Sequence, residues 1–145
     1  MKIAIGSDHG GYDLKEVIVR YLQKNGHQTI DFGCHSKDSV DYPDFGIGVA
    51  RAVASGSVDR GVLICTTGIG MSIAANKVKG IRAALCTDVL TARMSRQHND
   101  ANVLVLGAKI VSEPLALDIV KEWITASFEG GRHQRRIDKI KELEK

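Results

Sequence analysis

Proline is scarce in this chain, with 2 residues in 145, and aromatic residues make up only 5% of it. So little proline excludes polyproline and collagen-like segments. So few aromatics, without a broad basic face to interleave them, argue against sequence-independent nucleic-acid binding. Cysteine occurs three times, at Cys34, Cys65 and Cys86, an odd count with no CxxC spacing. That speaks against a disulfide framework or a zinc knuckle and for reduced thiols in a cytoplasmic protein. Purely apolar stretches reach only four or five residues, far short of a membrane span. Met1-Lys2 leads straight into Ile3-Ala4-Ile5 with no basic-then-apolar leader, so a soluble protein without a secretion signal is expected. An excess of one charge is also missing from most of the chain. The net charge is +3, and residues 129–145 carry six bases (Arg132, Arg135, Arg136, Lys139, Lys141, Lys145) against four acids (Glu129, Asp138, Glu142, Glu144), leaving a nearly neutral body.

What is present suits one globular domain over 1–145, with 129–145 as a basic helical tail. Hydrophobic residues make up 43% and charged residues 26%. A domain of this length buries roughly 68% of the surface its unfolded chain exposes, enough to fold without a disulfide or metal. Short continuous apolar runs recur: Ile3-Ala4-Ile5, Val62-Leu63-Ile64, Ala83-Ala84-Leu85 and Val103-Leu104-Val105-Leu106. Runs without alternation suit strands covered on both faces, as in a parallel sheet. A weaker strand is expected over His27–Phe32. Between them, Leu14, Val17, Ile18, Tyr21 and Leu22 repeat at helical spacing and stop at Gly26; Ala116, Ile119, Val120, Trp123 and Ile124 repeat it behind a Ser112 cap with Pro114 in the first turn. Further helices are expected over 45–54, 72–78 and 89–96. The alternation predicts a three-layer α/β/α sandwich, Rossmann-like, with a mostly parallel five-stranded sheet. Ligands in such folds sit beyond the carboxyl ends of the strands.

The first strand ends in Gly6-Ser7-Asp8-His9-Gly10-Gly11, where glycines admit a ligand to the backbone and Asp8 and His9 supply an acceptor and a titratable ring. A helix cap accounts for Asp8 equally well. The third strand ends in Cys65, followed by Thr66-Thr67-Gly68-Ile69-Gly70 and a helix. Unpaired amides and the positive end of a helix dipole there could hold a phosphate or a developing oxyanion, and their field favours a thiolate at the strand tip. By residue type alone, a cysteine is more often a small buried hydrophobe. GxGxxG fails at Ile73 and no GxxxxGK[ST] occurs, so dinucleotide and P-loop readings are weak. His98, in Arg96-Gln97-His98-Asn99-Asp100-Ala101-Asn102, could act as an acid or base, or mark a solvated helix end. After Gly130-Gly131, Arg132 and Arg136 share a helix face at i,i+4, which suits a phosphate or a plain basic tail.

Together these segments resemble the ribose-5-phosphate isomerase type B family, which also contains allose- and galactose-6-phosphate isomerases. The resemblance rests on residues 6–11, Asp41-Tyr42-Pro43-Asp44, Cys65 to Gly70, Ala74-Ala75-Asn76-Lys77, residues 80–84, His98 to Leu104, and Gly130-Gly131-Arg132-His133, in the family's order. It implies an aldose–ketose isomerase without metal or cofactor, interconverting ribose 5-phosphate and ribulose 5-phosphate through an enediolate, in carbohydrate metabolism through the pentose phosphate pathway. Cys65 would be the base, and Thr67 with the loop of Thr66, Gly68, Ile69 and Gly70 would hold substrate and oxyanion. His98 would open the ring, Asp8 and Asn99 would hold hydroxyls, and His9, Arg132 and Arg136 would grip the phosphate. The resemblance further implies a homodimer, or a tetramer, with the site shared between chains and no nucleic-acid or membrane partner. Thr66 stands where the family usually has glycine, and a β-branched residue disfavours positive φ. Lys109 stands where it usually has a substrate-touching arginine, keeping the charge and losing the bidentate fork. Allose 6-phosphate is the alternative substrate, and a non-catalytic phosphosugar-binding module the alternative class.

Overall fold

In the computed structural model, which describes all 145 residues, five strands alternate with helices: β1 (Lys2–Ser7), α1 (Tyr12–Lys24), β2 (Gln28–Asp31), α2 (Tyr42–Ala54), β3 (Arg60–Cys65), α3 (Ile69–Asn76), β4 (Ala83–Leu85), α4 (Val89–Gln97), β5 (Val103–Gly107), α5 (Glu113–Thr125) and α6 (Arg132–Lys141). The strands form one sheet in the order β2-β1-β3-β5-β4, and every pairing is parallel. The apolar runs are continuous because successive residues of each strand enter opposite cores. Ile3, Ile5, Val62, Ile64, Leu104 and Leu106 pack with Ile18 and Leu22 of α1 and Ile119 and Trp123 of α5. Ala4, Leu63, Cys65, Val103 and Val105 pack with Val49 of α2 and Met71 and Ala75 of α3. Each fully buried Ile or Leu contributes about 2 kcal/mol, so these two cores clamp the sheet between its helix layers.

Both prolines sit in first helical turns, Pro43 in α2 and Pro114 in α5, where a missing N–H costs nothing. Ser112 caps α5 by accepting from the Leu115 N–H at 3.3 Å, as its position in the sequence predicts. The basic tail is helical from Arg132, also as expected.

Two features of the topology place the functional residues. From β1 the chain moves outward to β2 and then crosses back to β3, so β1 and β3 are adjacent while their connections diverge, which opens a crevice at their carboxyl ends. Conversely, a parallel sheet returns each helix to the amino end of the next strand. The segment from His98 to Asn102 therefore lies at the opposite edge, where the Asn102 carbonyl accepts from the N–H of Gly61, near the start of β3, at 3.0 Å.

Candidate active site

Cys65 closes β3 with its side chain only 5% exposed, turned toward α2 and α3. Its carbonyl accepts from Ala108 at 2.8 Å and that of Thr66 from Lys109 at 3.0 Å, which ties the loop to the end of β5. Gly68 then takes φ +83°, and a Cβ there would collide with the Leu85 side chain. This turn brings the Gly68 N–H to 3.2 Å from Cys65 Sγ. The Ile69 N–H donates to Thr67 Oγ1 at 3.3 Å, which leaves the Thr67 hydroxyl proton free. The Gly70 and Met71 amides have no acceptor within the chain. Orphan amides at the positive end of a helix, beside a thiol that already receives an N–H, can hold an oxyanion next to a base. Thr66 takes an ordinary backbone conformation, since Asp100 is the one non-glycine residue with positive φ. The loop therefore accommodates threonine and turns at Gly68 instead.

Across the crevice, Asp8 accepts from the Gly11 N–H through Oδ1 at 3.1 Å and caps the short 3-10 turn at His9–Gly11, with Oδ2 left free. Asp8 is thus both the cap and a buried acceptor facing the site. His9 is exposed, and its Nδ1 accepts from the Val40 N–H at 3.2 Å, so the ring proton of the neutral form sits on Nε2, free to donate. Lys109 and Gly10 line one small cavity of about 280 Å³. The Tyr42 ring covers Gly70 so closely that a Cβ there would stand 2.5 Å from Cζ.

The second cluster lies at the amino end of the sheet. His98 caps the end of α4, and its imidazole stacks on that of His133 in α6, with centroids 4.2 Å apart and planes 9° from parallel. Glu129 reaches both rings, with Oε1 3.7 Å from His98 Nε2 and 3.6 Å from His133 Nε2. Burial pushes the His133 imidazole below its ordinary range, with the His98 and Arg132 charges adding to the effect and Glu129 opposing it. The His98–Asn99 loop is held from behind. Buried Arg96 donates to the Ala101 carbonyl at 2.6 Å and pairs with Asp100 at 2.9 Å, while Arg82 Nε donates to the Asn99 carbonyl at 2.9 Å. Arg132 and Arg136 are exposed on one face of α6 with no acid partner, beside the His98 stack.

The sequence model of the ribose/galactose isomerase family matches residues 3–140. The chain belongs to that family. Ribose-5-phosphate isomerase B of Escherichia coli is 51% identical over 143 residues, covering 99% of this chain and 96% of its own. The structure of Clostridium thermocellum ribose-5-phosphate isomerase B superposes with a TM-score of 0.99 at 62% identity, covering 99% and 97% of the two chains. The Mycoplasma genitalium ribose-5-phosphate isomerase B, solved with bound ribulose-5-phosphate, gives 0.95 at 46% identity, covering 99% and 95%.

Of the residues expected in this family's site, Asp8, His9, Cys65, Thr66, Thr67, Gly68, Ile69, Gly70 and Lys109 gather at the carboxyl ends of β1, β3 and β5. His98, Asn99, Arg132 and Arg136 gather at the amino end. Within one chain the two groups stay apart: Gly61 and Cys65 are four strand residues from each other, about 13 Å. Sequence reasoning gave no role to Tyr42, Glu129, His133, Arg82 or Arg96. The i,i+4 spacing of Glu129 and His133 was visible, but the stack on His98 is purely tertiary.

Proposed function

We propose that this chain interconverts ribose 5-phosphate and ribulose 5-phosphate in the cytoplasm, as a homodimer whose site takes its base from one copy and its ring-opening acid and phosphate-binding arginines from the other. The observation that carries the reading is a buried thiol at a strand tip under a glycine loop with free amides, in a family member whose acid and arginines lie at the far end of the sheet. A second copy supplies what one chain cannot bring together. The face next to the loop supports this, because Ile69 and Ile73 on α3 are 55% and 57% exposed and Leu85 on the edge strand β4, itself exposed, lies against Gly68 at the start of that helix. Contiguous apolar surface of this kind marks an interface.

The cyclic sugar docks with its phosphate on His9, Arg132 and Arg136, assisted by Lys109, and its hydroxyls on Asp8 and Asn99. His98 protonates the ring oxygen while the anomeric hydroxyl gives up its proton to water, which breaks the bond between C1 and the ring oxygen and frees the C1 aldehyde. The Cys65 thiolate removes the C2 proton, and negative charge develops on O1 against the loop amides and the Thr67 hydroxyl. The same sulfur returns a proton to C1 while the O2 proton passes to O1, giving the ketose. The test is proton NMR of ribose 5-phosphate turned over in D2O. Ribulose 5-phosphate carrying deuterium at C1 is expected. A product without deuterium would mean either hydride transfer or return of the abstracted proton before it exchanges, and turnover of allose 6-phosphate alone would move the substrate to hexoses.

Two variants probe the halves separately. Arg136→Ala removes one charge-assisted phosphate contact and is expected to raise KM about tenfold with kcat nearly unchanged; an unchanged KM would remove the arginine from the phosphate site. Gly107→Ala places a Cβ 2.5 Å from the Thr67 carbonyl oxygen, and because that neighbour is backbone it has little room to yield. The chain is expected to fold but to lose roughly 100-fold in kcat, the usual cost of moving a catalytic loop by about 1 Å. Circular dichroism beside steady-state kinetics reads both.

A further inference from the structure

His133 is buried, 5% exposed, and its Nε2 has no hydrogen-bond partner. A buried imidazole nitrogen without a partner is uncommon and marks a place where an ion or ordered water belongs. This one faces a carboxylate and a second imidazole. The ligand atoms of His98, Glu129 and His133 all lie within 4.8 Å of one another. The Nε2–Oε1 separations of 3.6 and 3.7 Å are a few tenths longer than the edge of a zinc tetrahedron with bonds of about 2.0–2.1 Å, roughly 3.4 Å.

The backbone holds the three together independently of any charge. The Glu129 N–H donates to the Gln97 carbonyl at 3.0 Å, which sets the carboxylate beside His98. Gly130 and Gly131, at φ +68° and +56°, turn the chain so that His133 returns beneath it, its N–H bonded to the Gly130 carbonyl at 3.1 Å. Two parallel rings cannot both aim an in-plane lone pair at one ion, so His98, the more exposed of the two at 38%, must tilt out of the stack to ligate. We propose that His98 Nε2, His133 Nε2 and Glu129 Oε1 form a binding site for one divalent transition-metal ion of the zinc class, with its fourth position left to water. Arg132 and Arg136 lie close by and oppose a cation, which makes this a reversible site and not a structural one. An ion there takes the lone pair of His98 and blocks ring opening. That inhibitory consequence rests on the role proposed for His98; the site itself does not.

The test uses the full chain, freed of metal and titrated with zinc chloride by calorimetry, as wild type, Glu129→Gln and His133→Gln. One ion per chain is expected in wild type, with affinity at least roughly tenfold weaker in each variant. Cobalt(II) should give visible d–d bands without a thiolate charge-transfer band, which separates this site from the three cysteines. Equal affinity in all three proteins, no binding, or a thiolate band would overturn the site. Retained isomerase activity in Glu129→Gln shows that the variant folds, and the same variant should resist inhibition by zinc. Zinc bound at full occupancy with undiminished turnover would support the site and overturn the proton-donor role of His98.

Discussion

Alanine at Cys65 is expected to lower kcat for isomerisation by about 1,000-fold or more, the scale of removing a positioned general base. The loss should be specific to proton transfer at carbon. Ribulose 5-phosphate cannot close a ring, because the hydroxyl it would need carries the phosphate, so exchange of its C1 proton with D2O requires a base and an oxyanion site but no ring-opening acid. Wild type and His98→Ala should both exchange that proton, whereas Cys65→Ala should not. The substitution removes one sulfur atom from a core that includes Met71 and Val105, a cost of about 1–2 kcal/mol that leaves the fold intact. Cys86 serves as the control. It is equally buried, but it packs in the other core with Val111 and Ala92, so Cys86→Ala should retain kcat. If Cys65→Ala still exchanged deuterium into ribulose 5-phosphate, the base would have to be sought elsewhere in the crevice.

The strands were readable because a sheet covered on both faces writes itself as unbroken apolar runs, and Val62-Leu63-Ile64 divides between the two cores accordingly. The cap at Ser112 and the helical start at Arg132 were readable because both depend on neighbours in the chain. Strand order was not, since nothing local tells Val103 that it pairs with Gly61 on one side and Ala83 on the other. The turn of the Cys65 loop was half readable. Threonine at 66 warned that a positive φ would fall elsewhere, but Gly68 and Gly70 were both available, and only the approach to Leu85 and Gly107 makes Gly68 the choice. Asp100, at φ +46°, shows the same limit: Asp and Asn tolerate the left-handed region, and Asn99-Asp100 offers one of each. The pairing of Asp100 with Arg96 and Arg82 decides between them, and those partners come from α4 and from the segment before β4.

Mixing two inactive variants should restore activity. Cys65→Ala and His98→Ala each disable one half of the site, and in the shared arrangement a hybrid dimer carries both defects in one pocket and neither in the other. Random exchange of subunits makes about half the dimers hybrid, so the mixture should reach about one quarter of wild-type activity while each variant alone stays near the floor. The reason lies in the sheet. All five strands run the same way, Cys65 stands at their carboxyl ends, and every helix-to-strand return, His98 included, falls at their amino ends. No rotamer of either side chain spans the length of β3. The exposed Ile69 and Ile73 beside the thiol are where the second copy would press, so Ile73→Lys should weaken association, measured by light scattering on dilution, and lower activity in proportion to the monomer formed. A mixture that stayed inactive, with subunit exchange verified by differently tagged chains, would place acid and base in the same chain and require the His98 loop to leave the position in which Arg82 and Arg96 hold it.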